Sequence, residues 1–324
     1  MKKLIISLVS ILIAVEVSAQ VQYGNYDYLN EARKLFKQGK FDIARRTYIA
    51  YINIENHNHD ATFENEWLKK ALDALAVENI NEAQKFYDDY KTISESKDAI
   101  FEQRYSATVE RIRQKADRLS KNTARDSLES AITEYYKIFC TDGDNVRCYA
   151  GICHERLGRT VEAKDLFADG TRHNESYAPY RLAQRIRLDK QTIPQDSLIS
   201  LYRRSAIKGY TSARDSLAMQ YEMCGDITNA DSWFGRSSSP LALYKRACYI
   251  MEGRSNSSDS PTELLTQAAN KDYPQAQYHL GMLYRAGIHV PQNSAEGWKW
   301  IKKAADAGHK KAKTEWYNKS KYKK

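Results

Sequence analysis

The chain has little proline and little glycine, with 6 Pro and 14 Gly among its 324 residues. These two residues interrupt helices, so their scarcity leaves room for long helical stretches. The chain also lacks a segment of convincing length in which apolar and polar residues alternate, as a half-buried strand would require. Because Ala, Leu, Lys, Arg and Glu are abundant, the composition predicts an all-α protein without a sheet.

Catalytic and cofactor signatures are missing as well. The chain has no Walker loop, no G-x-G-x-x-G and no G-x-S-x-G, and His154-Glu155 lacks the second histidine of a metalloprotease helix. His57, His59 and Asp60 lie in a polar loop of the sequence, without a partner cluster of metal-ligand residues. The five cysteines are an odd number and cannot all pair with one another. We therefore expect a protein that is not an enzyme and that binds no metal or cofactor.

Positive charge is concentrated in one short segment of the chain. The formal net charge is +9, and residues 302–324 carry nine lysines against only Asp306 and Glu315. A nucleic-acid-binding domain spreads its lysines and arginines along a face, so we expect no nucleic-acid partner. The lysines either draw the chain weakly to an anionic surface or only keep a capping helix in solution. The sequence leaves both interpretations open.

The first nineteen residues have the features of a secretory signal peptide. Two lysines precede a short apolar stretch from Leu4 to Val15, and the small residues Ser18 and Ala19 lie where a cleavage site is expected. The apolar stretch is too short for a spanning helix, and no cysteine follows it as a lipoprotein anchor would require. We therefore expect an exported, soluble bacterial protein that is not a lipoprotein, located in the periplasm, at the cell surface or outside the cell.

The most regular pattern in the chain lies in residues 268–312. Its small and aromatic residues follow a fixed order: Ala269, Ala276, Leu280, Gly281, Tyr284, Gly287, Ala295, Trp298, Ala304, Ala305, Gly308 and Ala312. This order resembles the Sel1-like repeat, a helix-turn-helix unit of the tetratricopeptide-like superfamily. One such unit cannot bury its apolar face alone, so the resemblance implies stacked copies that form a solenoid. Gly281 is expected to mark a close approach of two helices.

Weaker copies of the same pattern come earlier in the chain. Ala213, Ala242 and Ala276 are separated by 29 and 34 residues. The middle copy has Arg246 where the pattern expects Leu, so we interpret it as eroded. These copies extend the Sel1-like region over residues 195–316.

The preceding part of the chain repeats with another period. Ala44, Ala83, Ala124 and Ala163 follow one another at steps of 39, 41 and 39 residues, and each is followed four residues later by an aromatic or apolar residue. This pattern resembles tetratricopeptide (TPR) units with a longer period than usual, and it covers residues 20–190. The turns within three of these units are expected at residues 39–41, 78–80 and 158–160.

Together the two resemblances imply an α-solenoid of stacked helix-turn-helix repeats, with a TPR-like N-terminal half, a Sel1-like C-terminal half and a Lys-rich tail at residues 317–324. Solenoids of this kind present the first helix of each pair along a groove that accepts a peptide or a helix. The function they imply is a non-catalytic protein–protein adaptor in the bacterial envelope, with an unidentified protein partner. The residues expected to face that partner are Tyr26, Arg33, Asn145, Glu155, Gln275, Tyr278, Met282 and Arg285.

Two further features carry alternatives. The 23 tyrosines are expected to pack between helices with their hydroxyl groups at the solvent edge, or else to face a ligand in the groove. Exposed tyrosines and the lysines near residue 324 also allow a second function, a module that binds cell-wall glycan or anionic lipid. Three Asp-Ser-Leu tripeptides, at residues 126–128, 196–198 and 215–217, fit helix N-caps. They also resemble the O-glycosylation acceptor motif of exported Bacteroidetes proteins.

Overall fold

A computed structural model describes residues 28–55, 59–141 and 145–321. The predicted signal peptide and Tyr26 lie outside this part of the chain. Within it, all regular secondary structure is helical, which confirms the predicted fold class. The helices are α1 (Tyr28–Lys37), α2 (Phe41–Glu55), α3 (Ala61–Ala76), α4 (Ile80–Ser94), α5 (Ala99–Ser120), α6 (Arg125–Lys137), α7 (Val146–Arg156), α8 (Thr160–Arg172), α9 (Ala178–Leu188), α10 (Gln195–Ile207), α11 (Thr211–Met223), α12 (Ile227–Gly235), α13 (Pro240–Met251), α14 (Pro261–Asn270), α15 (Pro274–Ala286), α16 (Ser294–Asp306) and α17 (Lys310–Lys321).

The helices are arranged in two compact units. Of the described residues, the first unit comprises 28–55 and 59–121 with Tyr136–Cys140, and the second comprises Asn122–Tyr135 with Thr141 and residues 145–321. In each unit consecutive helices pack against each other as pairs, which is the arrangement of an α-solenoid. The change of repeat type near residues 190–195 stays a prediction.

Short turns join the two helices of a pair at the predicted places. Gly39 between α1 and α2 has φ +76°, and Gly158 between α7 and α8 has φ +78°. At the corresponding place between α3 and α4, Glu78 takes φ +59°. A residue in this left-handed region ends a helix and reverses the chain. The amide of Arg159 then donates to the His154 carbonyl at 2.9 Å and closes the end of α7.

Aromatic rings fill the core of the first unit. The rings of Phe36 and Trp67 are 4.8 Å apart, and those of Phe41 and Phe86 are 4.9 Å apart, both edge to face. Trp67 and Phe63 are completely buried. Edge-to-face pairs add specific attraction to the burial of apolar area, so these rings hold α1 to α4 in register.

Buried tyrosine hydroxyl groups join one helix pair of the first unit to the next. The amide of Asp60, the N-cap of α3, donates to the Tyr48 hydroxyl oxygen at 2.7 Å, and that hydroxyl donates to Glu64 at 2.8 Å. The contact recurs one pair later, where the amide of Asp98 donates to the Tyr87 hydroxyl oxygen at 2.8 Å. Tyrosines therefore pack between helices as predicted, but the solvent-edge placement of their hydroxyls is wrong for Tyr48 and Tyr87.

The predicted register fails at the third copy of the TPR-like pattern. Ala124 lies before α6 and is exposed. The buried alanine of α6 is Ala131, and Tyr135 follows it four residues later, as Tyr48 follows Ala44. The cause is α5, which is 22 residues long and moves the next helix along the chain. A constant step of about forty residues misses this extra length.

A buried carboxylate caps a helix of the second unit. Glu175 accepts hydrogen bonds from the backbone amides of Arg147 and Cys148 at the start of α7, both at 2.9 Å. A negative charge is stabilised at a helix N-terminus, where amides have no partner in the helix. A side chain on Gly170 would bring its Cβ to 2.6 Å from the Glu175 carboxylate, so glycine is required there.

Arg246 is not an eroded position. Its guanidinium group pairs with Asp231 at 3.2 Å and with Asp259 at 2.6 Å, and it also donates to the Ser257 hydroxyl at 3.2 Å. It lies against Gly235, which leaves room for it. The serine-rich loop between α13 and α14 thus supplies polar partners where the other copies of the repeat use an apolar leucine. The middle copy keeps the fold by a different interaction.

Two glycines let α15 and α16 touch through their backbones. A Cβ on Gly281 would lie 2.8 Å from the Gly297 carbonyl oxygen, and one on Gly297 would lie 2.6 Å from the Gly281 carbonyl oxygen. The expected close approach at Gly281 is confirmed. Gly297 is the second half of the contact, and the predicted repeat skeleton did not include it.

The Asp-Ser-Leu tripeptides divide between two structural situations. Asp126 and Asp196 lie in the first turns of α6 and α10, where a carboxylate stabilises the positive end of a helix. Asp215 is the fifth residue of α11, and the N-cap of α10 is Pro194, without a side-chain hydrogen bond to the helix start. The N-cap prediction is therefore wrong for the copies at residues 196–198 and 215–217. The neighbouring Ser216 is hydrogen-bonded to Tyr180 of α9 instead.

Replacing Gly281 by leucine should destabilise the C-terminal helices. The side chain would press on the backbone of α16, and overpacking of this kind costs about 1–3 kcal/mol. Urea denaturation followed by tryptophan fluorescence measures this, because three of the five tryptophans lie in α16 and α17. Lys313→Leu, an exposed change on α17, is the matched control and should leave the curve nearly unchanged. Equal effects of the two changes would contradict the backbone contact.

The corrected register predicts opposite outcomes for two alanines. Ala131→Leu should overpack a site with no exposed surface and lower the free energy of unfolding by about 1–3 kcal/mol. Ala124→Leu, at the exposed position, should change it by less than about 0.5 kcal/mol. Circular dichroism during thermal unfolding measures both variants. A larger effect at Ala124 would restore the constant repeat step.

Candidate functional site

Charged side chains join the first helices of successive pairs in the second unit. Glu155 of α7 pairs with Arg181 and with Arg185 of α9, the latter at 3.4 Å. Glu222 of α11 pairs with Lys245 of α13 at 2.9 Å. These pairs are half-buried, where attraction between charges is stronger than in water. They tie α7 to α9 and α11 to α13. We name the first helices α7, α9, α11, α13 and α15 the row of first helices.

A cleft of about 420 Å³ opens along this row. It lies where α13, α15 and the start of α17 meet, so that the first helices of two successive pairs and the last described helix contribute to it. Its lining residues are Tyr244 of α13, Gln275, Tyr278 and His279 of α15, Gly308 and His309 of the turn between α16 and α17, and Lys310 and Lys311 of α17. We name this the His-Lys cleft.

The walls of the His-Lys cleft are held in place by ring and hydrogen-bond contacts. The rings of Tyr278 and His309 stack with their centroids 4.6 Å apart, and those of Tyr244 and His279 are 5.6 Å apart. The Tyr278 hydroxyl donates to Glu315 of α17 at 2.6 Å. The four aromatic wall residues thus contact one another across different helices and turns, which makes the cleft a pre-formed feature of the repeat stack.

The charges of the cleft are predominantly positive. Lys310 and Lys311 are exposed at its rim, and neither forms an ion pair with a described carboxylate. Of the nearby carboxylates, Asp306 pairs with Lys302 at 2.8 Å, and Glu315 is engaged by Arg285 and Tyr278. The backbone amides at the start of α17 add partial positive charge to the same rim. The first turn of α17 carries no acidic residue that would offset this charge.

Burial changes the ionisation of the cleft's side chains. It lowers the pKa of His279, and the neighbouring His309 and Lys311 lower it further, while Glu252 acts in the opposite direction. Burial and Lys311 also lower the pKa of His309. The pKa of Tyr278 is raised to about 12 by burial and by its hydrogen bond to Glu315. At neutral pH the two histidines are therefore uncharged, and Lys310 and Lys311 carry the positive charge.

The four residues expected on α15 divide between two places. Gln275 and Tyr278 line the His-Lys cleft. Met282 packs against the apolar cluster of α16 and α17 around Ile301. Arg285 pairs with Glu315 at 2.8 Å and lies over the Trp298 ring at 4.1 Å. The structure thus brings two of the four together at an open surface and uses the other two to join helices.

The remaining predicted residues lie away from the cleft. Asn145 accepts a hydrogen bond from the Tyr177 amide at 2.8 Å, which links the starts of α7 and α9. Glu155 is engaged by the two arginines of α9 described above. Arg33 of the first unit pairs with Asp60 and lines a separate basic cleft with Lys34 and Lys37, while Tyr26 lies outside the described residues.

Sequence reasoning missed most of the residues that line the His-Lys cleft. Tyr244 could have been found, because it stands 34 residues before Tyr278, the same spacing that separates Ala242 from Ala276. Gly308 belongs to the predicted repeat skeleton, whereas His279, His309, Lys310 and Lys311 stand at no position that the pattern marks. Only the packing of α15 against α17 brings them together.

Tryptophans and cations form a second cluster, on α16 and α17. Trp298 has Arg285 over its ring at 4.1 Å and Lys319 at 4.3 Å, and Lys303 lies over Trp300 at 4.2 Å. Cation–π attraction therefore holds lysines that the sequence placed in solvent. Lys319 in particular is part of α17, which continues to Lys321.

The described residues form neither a metal-binding cluster nor a membrane-spanning helix. Residues 28–55, 59–141 and 145–321 contain no group of three or more His, Cys, Asp or Glu arranged to hold a metal ion. Of the predicted cluster at residues 57–60, His59 contacts Glu64 at 2.7 Å and Asp60 pairs with Arg33. Among the seventeen helices described, none is long and apolar enough to cross a membrane.

Comparison with known proteins agrees with this architecture. Residues 274–309, which contain α15 and α16, match the Sel1 repeat family. No curated protein matches the chain. A protective antigen of uropathogenic Escherichia coli with an SLR fold has a TM-score of 0.56 at 17% identity, covering 88% of this chain and 61% of its own. A Sel1 repeat protein from Oxalobacter formigenes has a TM-score of 0.50 at 18% identity, covering 57% and 81%.

The described part of the chain is thus an all-α stack of helix pairs, similar in fold to the SLR protein from Escherichia coli. The match to the Sel1 repeat covers residues 274–309, and the first helix of this matched pair, α15, forms one wall of the His-Lys cleft. The chain spans 61% of the length of the Escherichia coli antigen. At these identities the solved structures establish the fold and leave the function open.

The low pKa of His279 predicts a loss of stability in acid. Below pH about 6.5 the unfolded chain binds a proton that the folded chain does not, so the free energy of unfolding falls as the pH drops. Urea denaturation at pH about 7.5 and about 5.5 measures this loss. His279→Gln removes the titrating group, so the loss should be smaller in the variant than in the original chain. An identical loss in both would show that His279 titrates normally.

Proposed function

We propose that this protein is a non-catalytic protein–protein adaptor, exported to the bacterial envelope, that binds a peptide or helix of its partner along the first helices of the repeats. The observation that carries the proposal is the His-Lys cleft. It is open, it lies on the row of first helices, and two of its residues, Gln275 and Tyr278, were expected to face a partner. Repeat folds of this type present such a row to extended ligands.

Other side chains along the row are arranged to keep it rigid. Two ion pairs each join one first helix to the next: Glu155 with Arg181, and Glu222 with Lys245. A groove whose walls do not rearrange binds with less loss of conformational entropy. This rigidity suits capture of a partner segment, and the proposed envelope location follows from the predicted signal peptide at residues 1–19.

The alternative, a module for cell-wall glycan or anionic lipid, has less support. Sugar binding by tryptophan needs an open ring face, yet Arg285 and Lys319 both lie over the Trp298 ring within 4.3 Å of its centroid. Lys303 lies over Trp300 in the same way. These lysines are engaged within the protein, which reduces the charge free to reach a surface. The adaptor function is therefore the one we propose.

Site-specific photo-crosslinking tests the adaptor function. A benzophenone side chain at Gln275, in the cleft, should trap a defined partner protein in intact cells of the native organism. The same probe at Lys299, exposed on α16 outside the cleft, is the matched control and should trap little. Mass spectrometry of the adduct identifies the partner.

The adaptor proposal fails if neither position yields an adduct, or if both yield the same one. Crosslinking to glycan or lipid from either position would favour the alternative module.

A further inference from the structure

We propose that the His-Lys cleft binds an acidic segment of the partner protein, a short stretch of Asp and Glu residues whose carboxylates meet Lys310 and Lys311. This inference rests on the adaptor function proposed above and specifies the chemistry of its partner.

The two lysines are the cations lining the cleft, and the protein leaves both of them available. Lys302 pairs with Asp306 at 2.8 Å, and Lys303 and Lys319 lie over tryptophan rings. Lys310 and Lys311 have no described carboxylate within ion-pair distance, although they project from one helix turn beside a cleft. Two adjacent like charges repel each other, and a bound carboxylate relieves that repulsion.

The carboxylates that could neutralise the cleft from within are occupied. Glu315 is bonded to Tyr278 at 2.6 Å and to Arg285 at 2.8 Å. Glu252 pairs with Arg254 at 3.1 Å. The cleft therefore keeps a net positive potential, and electrostatic complementarity selects a negative partner.

The remaining lining groups suit a peptide chain. Gln275 supplies an amide that can both donate to and accept from a peptide backbone. Tyr244, beside His279, and Tyr278, stacked on His309, supply apolar ring surface. A volume of about 420 Å³ has room for a few side chains, and the row of first helices continues beyond it. A segment of extended peptide meets all of these groups, whereas an isolated anion would meet only the lysines.

Fluorescence anisotropy with a labelled hexaglutamate peptide tests the inference on the full mature chain. The peptide should bind, and hexaglutamine of the same length should bind much less. Charge reversal by Lys310→Glu with Lys311→Glu should weaken hexaglutamate binding by about tenfold or more, since each like-charge contact at an interface is costly. Both lysines are exposed, so the variant should fold, and circular dichroism checks this.

The control variant carries the same change of charge on the same helix. Lys313→Glu with Lys321→Glu reverses two exposed lysines that do not line the cleft. It should weaken binding by about threefold or less at about 0.15 M salt, where charges beyond roughly 8 Å are screened. Equal weakening by the two double variants would overturn the inference, because the peptide would then sense only the overall charge.

Two other outcomes also overturn it. One is equal binding of hexaglutamine. The other is binding of phosphatidylglycerol vesicles that depends on Lys310 and Lys311 while hexaglutamate does not bind, which would assign the cleft to lipid. Crosslinking from Gln275 separates this inference from the adaptor function: an adduct that persists in the Lys310→Glu, Lys311→Glu variant keeps the adaptor and rejects the acidic segment.

Discussion

The fold depends on helices that approach one another at residues without large side chains. Between α15 and α16, a Cβ on either Gly281 or Gly297 would lie within 2.8 Å of the carbonyl oxygen of the other glycine. Completely buried alanines such as Ala44, Ala163 and Ala242 mark the helices of other pairs. Close approach lets the larger residues on either side interdigitate, and dense packing then limits how far any helix can move. The cleft inherits its shape from this constraint, because α15 is held by α16 and α17.

The two units solve the problem of joining successive pairs with different chemistry. The first uses hydroxyl groups of buried tyrosines, which accept from the N-cap amides of the next pair at Asp60 and Asp98. The second uses charge, as in the carboxylate of Glu175 at the start of α7 and the guanidinium of Arg246 among Asp231 and Asp259. In both, these linking groups inside the stack have partners, which a buried polar group requires. Side chains of this kind specify which helix follows which more narrowly than apolar contact does.

Structural features that recur in every repeat could be predicted from the sequence, and features that occur in only one repeat could not. Glycine turns, buried alanines and the role of Gly281 follow from local pattern, because each is needed once per repeat. The place of Ala131 could not be read the same way, since the length of α5 is set by a single helix rather than by the pattern. Arg246 was interpreted as an eroded repeat position because the loop that supplies its serine partner lies outside the repeat skeleton.

The candidate site shows the same division. Gln275 and Tyr278 occupy repeat positions and were predicted. Lys310 and Lys311 enter the site only because α17 packs beside α15, a contact between residues more than thirty positions apart. The pattern within one repeat does not reveal such a contact. The 34-residue spacing of Tyr244 and Tyr278, in contrast, could have revealed that Tyr244 occupies the position in its repeat that Tyr278 occupies in the later one.

His309 links the cleft to the helix behind it. Its Nδ1 accepts the amide hydrogen of Ala312 at 3.2 Å, so it serves as the cap of α17 while its ring stacks on Tyr278. A nitrogen that accepts cannot carry a hydrogen, and the neutral ring must therefore hold its proton on Nε2. The tautomer of His309 is thus chosen by the backbone of α17. Whatever meets this imidazole at Nε2 meets a hydrogen-bond donor, whose direction follows from where that helix begins.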